Sequence, residues 1–356
     1  LAARETERHE GDESMRYDVE KQKGGEPEQY ASVDLFPRQA IRRDFAVSTD
    51  TWSAGDCTFR VISPVRSIPD PRTADDAAMK MAICPAVLAE LTLYNRGGTR
   101  TRRAFFGFEG TDPYSSMRRL DDNTNGELKG IGQGRTVAIA TRDEAAVSGQ
   151  GFGITDVVAP EVTDNLVFGL GSVAAIVAAV PAGEQRTWRF AICFYRGGIA
   201  TVGMDCHYAY SRHFDDIEAV AHFALDHFDD YVQWAAEANA MVADSNLSDH
   251  QQFMLSHAIR SYYGSTEFLY TADNQPFWVV NEGEYRMMNT FDLTVDMLFY
   301  EMKMNPWTVR NVLDMFVERY HYVDRARFPG DPEEHPGGIS FTHDMGVANT
   351  LSRPGY

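Results

Sequence analysis

The hydrophobic period of this chain changes near residue 214, and that change limits the fold more than any other feature of the sequence. In the stretch 85–98, PAVLAELTLYNRGG, every second side chain from 87 to 93 is apolar, and a turn with two glycines follows. The stretch 186–198, RTWRFAICFYRGG, has a similar pattern. Alternation between glycine-rich turns is typical of antiparallel strands with one buried face. From about residue 40 to 213 we therefore predict a β-sandwich without regular helices, not a doubly wound fold.

Beyond residue 214 the apolar residues recur every three or four positions. The first such stripe predicts one long amphipathic helix and comprises Ile217, Val220, Ala221, Ala224, Leu225, Phe228, Tyr231 and Val232. A second helix is expected to begin at Ser248, which has capping-box spacing to Gln251, and to end near Gly264. We therefore predict three parts: a β-domain over 1–213, a helical linker over 214–247 and a helical domain over 248–356.

Two further helices are predicted in this helical domain, on either side of Asn305. One runs from about Phe291 to Met304, and the pair Asn305-Pro306 supplies a cap and a first-turn proline for a helix to about Tyr322. The joint is minimal, so the two helices are antiparallel neighbours. The loops before and after this pair, each about twenty residues long, should therefore emerge at the same end. We expect them to form the two walls of an active site.

Composition excludes some classes of partner. The net charge of −19 argues against nucleic acid or an anionic membrane, because both are bound by an excess of Lys and Arg. No apolar run approaches the roughly 18 residues of a membrane span. The four cysteines lack CxxC spacing, which favours buried free thiols in a reducing compartment. Residues 1–14 do not resemble a signal peptide, so we expect a cytoplasmic protein, with any segment upstream of Leu1 left open.

Polar groups crowd the first of the two loops. The stretch 281–296 reads NEGEYRMMNTFDLTVD, and its chemistry-bearing residues are Glu282, Glu284, Tyr285, Arg286, Asn289, Thr290 and Asp292. The second loop contains the pair His343-Asp344. Taken alone, such carboxylates are more often solvated groups near a helix start, and Asp292 would simply favour a helix N-terminus. Arg286 would pair with Glu284 or Asp292, and His343 would be a buried histidine beside a capping aspartate.

Three segments resemble glycoside hydrolase family 52, the β-xylosidases. They are 102–122, RRAFFGFEGTDPYSSMRRLDD, then 278–296, WVVNEGEYRMMNTFDLTVD, and 336–356, PGGISFTHDMGVANTLSRPGY. The similarity runs from about residue 13 to the last residue. It implies an N-terminal β-sandwich, a helical linker and an (α/α)6 barrel that holds a retaining active site. The first segment would reach the barrel rim or a subunit contact, or would carry an interdomain salt-bridge network.

The related family 116 β-glucosidases have a motif similar to LEG-x-EYRMYNTYD, in which the glutamate before the glycine is the nucleophile. This similarity assigns the nucleophile to Glu282. Glu284 is the runner-up, because this sequence has one residue fewer between its two glutamates. Asp292 falls where that family contacts sugar hydroxyls, and His343 corresponds to the histidine of its PHD motif. The other residues expected to bind substrate are Tyr285, Arg286, Asn289, Thr290 and Asp344.

A retaining glycosidase needs an ionised nucleophile and a second, protonated carboxyl group. Arg286 and Asn289 would help to keep the nucleophile ionised. Glu282 and Glu284 lie too close in sequence to flank a glycosidic bond. The family's general acid is an aspartate beyond the segment that ends at Tyr356, and a complete barrel needs roughly twice the sequence after Ser248. We therefore expect this chain to be a central fragment that carries the nucleophile without the acid.

The resemblance thus predicts a retaining, exo-acting β-xylosidase. It would release D-xylose from the non-reducing end of β-1,4-xylo-oligosaccharides or cleave aryl β-xylosides, without a cofactor or metal. We expect the complete enzyme to be a homodimer. Two alternatives stay open: a β-glucosidase of related type, and a non-catalytic carbohydrate-binding or assembly protein.

Overall fold

Eleven antiparallel strands form two sheets in the N-terminal part of the described chain. The computed structural model describes residues 35–112, 114–151, 153–158, 171–283 and 285–353. The strands are β1 Arg42–Phe45, β2 Thr49–Ala54, β3 Cys57–Ile62, β4 Ala86–Tyr94, β5 Arg102–Glu109, β6 Met117–Arg119, β7 Lys129–Gln133, β8 Val137–Thr141, β9 Val147–Gly151, β10 Val173–Val180 and β11 Gln185–Phe194. The large sheet has the order β1-β2-β3-β4-β11-β8-β7-β6 and the small one β5-β10-β9.

The two sheets share one hydrophobic core. The alternating stretches predicted from sequence are the central neighbours β4 and β11, which pair antiparallel with Trp188 opposite Leu91. From these two strands Leu91, Trp188 and Phe190 are buried together with Ile176 of β10 in the small sheet. The predicted strands are therefore confirmed, and their alternation places the large side chains between the sheets.

The other face of the large sheet is also buried. Leu88 of β4 and Cys193 of β11 pack with Val220 and Ala224 of a helix in a second core cluster. The expectation of one buried face is therefore wrong for these central strands. Small and apolar residues such as Ala191 and Cys193 replace the polar residues that a solvent-exposed face would carry.

The linker stripe forms two helices, not the single one predicted. Helix α3, Ile217–Asp226, ends at His227, and helix α4, Phe228–Ala243, begins directly after it. The carboxylate of Asp216 caps α3 by accepting from the Ala219 N–H at 2.8 Å. Apolar residues on both sides of the break, such as Val220 and Tyr231, belong to the same core cluster, so the stripe gave no sign of it.

Two short helices also interrupt the β-region, where none was expected. Helix α1, Asp76–Ala82, is capped by Asp75, whose carboxylate accepts from the Ala78 N–H at 2.7 Å. Helix α2 spans Ile154–Val158. Both are only one or two turns long, too short to show a hydrophobic period.

The three predicted C-terminal helices are confirmed as α5 Asp249–Gly264, α6 Phe291–Met304 and α7 Pro306–Arg319. At the start of α5 the Gln251 side chain accepts from the Ser248 N–H at 2.9 Å, as in a capping box. Asn305 has a different role from the predicted cap. Its buried amide oxygen accepts from the Ile68 N–H at 2.7 Å and thereby joins the α6–α7 corner to the segment after β3.

The two long loops around the α6–α7 pair contain strands, so their description as loops is wrong. A six-stranded sheet comprises β12 Cys206–Tyr208, β13 Thr266–Thr271, β14 Pro276–Glu282, β15 Met287–Met288, β18 Gly346–Val347 and β19 Thr350–Leu351. A separate hairpin pairs β16 His321–Ala326 with β17 His335–Phe341. The run PFWVV at the start of β14 is aromatic and β-branched, which favours a strand. The expected meeting of the two segments is confirmed, because β15 pairs with β18.

The salt-bridge alternative for the segment 102–122 is supported by the structure. Arg118 on β6 lies 2.6 Å from the Glu218 carboxylate on α3, and both side chains are largely buried. This ion pair joins the large sheet to the linker helices.

The four cysteines are free thiols, as predicted, but only Cys193 and Cys206 are fully buried. Cys57 and Cys84 are partly exposed. Among the helices in the described ranges, none combines the length and the apolar character that crossing a membrane requires.

Glu301 is a buried carboxylate within the helical pair. Glu301 is only 2% exposed, and the Tyr262 hydroxyl donates to its Oε1 at 2.7 Å. Burial raises the pKa of Glu301 above its usual value of 4.5, and hydrogen bonding by Tyr262 opposes this effect. Because the folded state holds the proton more tightly, the resulting stabilisation is present below about pH 4.5 and is lost as the pH rises through the folded-state pKa.

We therefore expect Glu301→Gln to flatten the pH dependence of stability above pH 4.5. The free energy of unfolding of the full-length protein, measured in urea at a series of pH values, should fall less steeply in the variant than in the wild type. Glu318→Gln, at an exposed position on α7, is the matched control and should keep the wild-type slope. Equal slopes for all three proteins would contradict the assignment of this pH dependence to Glu301.

Candidate active site

Glu282 is the last residue of β14, and its side chain is held by a hydroxyl. The Thr290 Oγ1 donates to the Glu282 Oε2 at 3.0 Å. Thr290 immediately precedes α6, but its hydroxyl does not cap the helix. One carboxylate oxygen of Glu282 is therefore oriented by a buried donor, and the side chain remains partly exposed.

A tight turn follows Glu282 and returns the chain to β15. Gly283, Arg286 and Asn289 all have positive φ, of 44°, 53° and 52°. Residues with a side chain are uncommon in this conformation and need support from their surroundings. Asn289 provides it: its Oδ1 accepts from the Val280 N–H at 2.8 Å, and its Nδ2 donates to the Trp278 carbonyl at 2.9 Å. The buried amide of Asn289 thus links the turn by hydrogen bonds to β14, the strand that carries Glu282.

His343 lies between two carboxylates at the start of α6. Its Nδ1 is 3.1 Å from the Asp344 Oδ2, and its Nε2 is 4.0 Å from the Asp292 Oδ1. The backbone connects the two segments as well, because the Phe291 N–H donates to the His343 carbonyl at 2.7 Å. Asp344 is held in turn by the Gly346 N–H, at 2.9 Å from its Oδ1.

The acidic surroundings raise the pKa of His343 above its usual value of 6.5. The hydrogen bond with Asp344 is the largest cause. Desolvation opposes it, and the charges of Asp344, Asp292 and Glu282 raise the pKa further. An imidazolium is therefore favoured beside these carboxylates to a higher pH than in water. The arrangement brings together a carboxylate held by a hydroxyl, an imidazole and several exposed oxygen acceptors, which suits a polyhydroxylated ligand.

The structure thus brings together five of the predicted site residues: Glu282, Thr290, Asp292, His343 and Asp344. Asp292 is 75% exposed, so its carboxylate is free to meet a ligand. The side chain of Tyr285 is also exposed, in the turn after Glu282. Glu284 lies outside the described residues. Within the described ranges, no group of three or more His, Cys, Asp or Glu side chains is arranged to hold a metal ion.

Arg286 lies on the other side of the sheet. Its Nη2 donates to the Asn349 Oδ1 at 2.6 Å and is 3.7 Å from the Glu267 Oε1. Glu267 also accepts from Asn281, whose side chain points away from that of Glu282 because adjacent strand residues face opposite sides. Of the two expected ion-pair partners of Arg286, Glu284 lies outside the described residues, and Glu267 takes the place of Asp292.

Glu267 and Asn349 were missed by the sequence reasoning. Glu267 stands in TEFLYT, where a lone carboxylate interrupts an otherwise apolar and β-branched run. That irregularity is the signal that could have found it. Asn349 adopts a positive φ of 63° in a turn, which is common for asparagine and indicates no function.

Comparison with known proteins shows the family of this chain. The model of Glycosyl hydrolase family 52 matches residues 6–356. A "Beta-xylosidase" of Geobacillus stearothermophilus is 54% identical over 347 residues, which is 98% of this chain and 49% of that protein. A second "Beta-xylosidase" of the same organism is 48% identical over 362 residues, 97% of this chain and 56% of the relative. The chain thus spans about half the length of these curated relatives. With the family match over nearly its whole length, the chain belongs to glycosyl hydrolase family 52.

Proposed function

We propose that this chain carries the nucleophile of a retaining, exo-acting β-xylosidase. The substrates are β-1,4-xylo-oligosaccharides, which lose D-xylose from the non-reducing end, and aryl β-xylosides. The observation that carries the proposal is the position of Glu282: a strand-end carboxylate, held by Thr290 and near His343, which is itself 4.0 Å from Asp292. The names of the two relatives support xylose as the sugar.

In this mechanism a carboxylate oxygen of Glu282 attacks C1 as the bond from C1 to the leaving oxygen breaks. The leaving oxygen takes a proton from a general acid. Water then attacks C1 of the xylosyl-enzyme, gives a proton back to the same residue and releases Glu282. The acid must lie about 5–5.5 Å from the nucleophile in a retaining enzyme. We assign this role to an aspartate in the part of the relatives that this chain does not cover.

The remaining site residues divide between sugar contact and support. Asp292, His343, Asp344 and Tyr285 are proposed to meet sugar hydroxyls or the sugar face. Three of these side chains are exposed, and Asp344 is partly so. The other three predicted residues are given supporting roles because their polar atoms already contact the protein: Arg286, Asn289 and Thr290.

The proposed architecture of the whole protein is a β-sandwich over 1–213, a linker over 214–247 and the first part of an (α/α)6 barrel over 248–356. The shared core of the two N-terminal sheets supports the sandwich. Exposed apolar side chains on the helices support the barrel, because further helices would cover them. These side chains are Phe253 and Met254 on α5, Val295, Phe299 and Met302 on α6, and Leu313 and Val317 on α7.

The test is peptide mass mapping of the full-length protein after incubation with a 2-fluoro-xyloside that has a very good leaving group. Such a reagent depends little on the acid, so it reports on the nucleophile. We expect a 2-fluoroxylosyl adduct on Glu282 and faster hydrolysis of aryl β-xylosides than of the matching glucosides. An adduct on Glu284 would keep the mechanism but move the nucleophile. Turnover without an adduct would indicate inversion, and neither turnover nor adduct would favour a binding protein.

Thr290→Val is expected to lower kcat for aryl β-xylosides by about 10-fold or more. The substitution keeps the β-branched shape but removes the hydroxyl that orients the Glu282 carboxylate, and hydrogen bonds to charged groups contribute about 1.5–3 kcal/mol. Steady-state kinetics would measure the loss. Thr290→Ser is the matched control, because it keeps the donor. If the valine and serine variants lose activity equally, shape and not the hydrogen bond is what matters at this position.

A further inference from the structure

We propose that Glu267 is a positioning residue that aligns the nucleophile from the opposite face of the six-stranded sheet. The inference rests on the proposed function, because it assigns to Glu267 the task of holding Glu282 in the geometry for attack. Glu267 lies on β13, in neither of the two segments that form the site.

The carboxylate of Glu267 is a junction of four side chains, those of Asn281, Asn349, Arg286 and Tyr208. Its Oε1 accepts from the Asn281 Nδ2 at 3.0 Å, and its Oε2 accepts from the Asn349 Nδ2 at 3.0 Å. The Arg286 guanidinium lies 3.7 Å from Oε1 and also donates to the Asn349 amide oxygen. The side chain of Glu267 is only 12% exposed, so these partners replace most of its water.

Three of these partners lie at the boundaries of the nucleophile segment. Asn281 directly precedes Glu282 on β14. Arg286 lies in the turn after Glu282, and its N–H donates to the Glu282 carbonyl at 2.9 Å. Asn349 lies in the turn between β18 and β19, and the neighbouring Ala348 N–H donates to the Arg286 carbonyl at 2.9 Å. The Glu267 carboxylate therefore contacts the residue before the nucleophile, the turn after the nucleophile and the turn between β18 and β19.

The hydrogen-bond pattern requires two acceptor oxygens at this position. Only a carboxylate offers acceptors on both oxygens, so it can satisfy two amide donors and face a guanidinium. A glutamine would turn an NH2 group toward the Nδ2 of Asn281 or Asn349, so that two N–H donors would face each other without an acceptor. Because Arg286 has a positive φ, the turn depends on such contacts to keep its shape.

The experiment compares the kinetics of trapping in full-length variants. We expect Glu267→Gln to lower the rate constant for labelling of Glu282 by the 2-fluoro-xyloside by about 100-fold, as expected when reacting groups are displaced by about 1 Å. Labelling should still approach completion, because the fold persists. In steady-state assays kcat should fall in parallel, with KM changed by no more than about threefold.

A paired substitution provides the rescue. In the double variant Glu267→Gln with Asn349→Asp, the new amide can donate to the new carboxylate, and Arg286 keeps its acceptor. Asp tolerates the positive φ at position 349, and the total charge is unchanged. We expect the double variant to recover most of the labelling rate. Glu218→Gln is the matched control, since Glu218 is also 12% exposed and also pairs with an arginine, but lies on α3. Its labelling rate should equal that of the wild type.

Two results would overturn the proposal. An unchanged rate constant with a smaller labelled fraction would show that Glu267 supports folding alone. A slow Glu267→Gln variant that Asn349→Asp fails to rescue would show that the donor pattern is not the cause. If the wild type is neither labelled nor active on xylosides, the proposed function itself fails, and the positioning role fails with it.

Discussion

Glu282→Ala in the full-length protein should lower kcat/KM for an aryl β-xyloside by about 10⁴-fold or more, the scale seen when a covalent nucleophile is removed. In the proposed mechanism no xylosyl-enzyme can form without this carboxylate. The alanine also leaves space where the carboxylate stood, and a small anion can enter it. Azide should therefore restore part of the activity by attacking C1 as the aryl oxide leaves. The product should be the α-xylosyl azide, because azide attacks from the side that Glu282 used.

Glu282→Gln is the matched control for this rescue. It removes the nucleophile but fills the same volume, so it should lose as much activity without responding to azide. Thin-layer chromatography or NMR of the products would identify the azide adduct and its anomer. An alanine variant that keeps more than about a tenth of wild-type activity would contradict the assignment, and the same pair of substitutions at Glu284 would then be decisive.

Phe316→Ala should give the largest loss of stability among single substitutions near the site, about 3–5 kcal/mol of the free energy of unfolding. Phe316 on α7 is fully buried, and its ring meets that of Phe291 edge-to-face at a centroid distance of 4.8 Å. It also lies 6.3 Å from the ring of Phe341, which stacks on Phe291. The alanine would leave a cavity where α7, the start of α6 and the hairpin strand β17 meet.

Urea unfolding of the full-length protein would measure this loss. Glu318→Ala is the matched control, two residues away on the same helix and at an exposed position. Its stability should stay within about 0.5 kcal/mol of the wild type. Equal effects at the two positions would show that Phe316 is not at a packed junction. Since Phe291 precedes Asp292, a weakened junction should also raise KM for xylosides, and this gives a second measurement.

Local patterns predicted many of the elements correctly. The strands β4 and β11 follow from alternation, and α5, α6 and α7 follow from caps, a first-turn proline and three-to-four spacing. The break at His227 escaped prediction because the apolar stripe continues through it. The strands β13 and β14 were predicted to be part of a loop, although the aromatic and β-branched run PFWVV favours a strand.

The residues of the candidate site were also predicted only in part. That residues near 282–292 would meet residues near 343–344 followed from the short joint at Asn305, which requires the flanking segments to emerge together. The contact between Phe291 and His343 bears this out. The partners of Arg286 could not be predicted from the sequence. Glu267 is 19 positions away in sequence and Asn349 is 63, and no local pattern relates them.

The sequence by itself determined the order of the β-region and the helices, the clustering of polar groups after β14 and, by resemblance, the family. These properties depend on residues a few positions apart, and the spacing of polar and apolar residues over such short distances can be recognised in the sequence. Only the tertiary structure decided which face of the sheet each polar side chain occupies. Glu282 and Asn281 are adjacent in the chain but belong to opposite faces, one with Thr290 and the other with Glu267. Strand pairing makes that choice, because one residue of register exchanges the two faces.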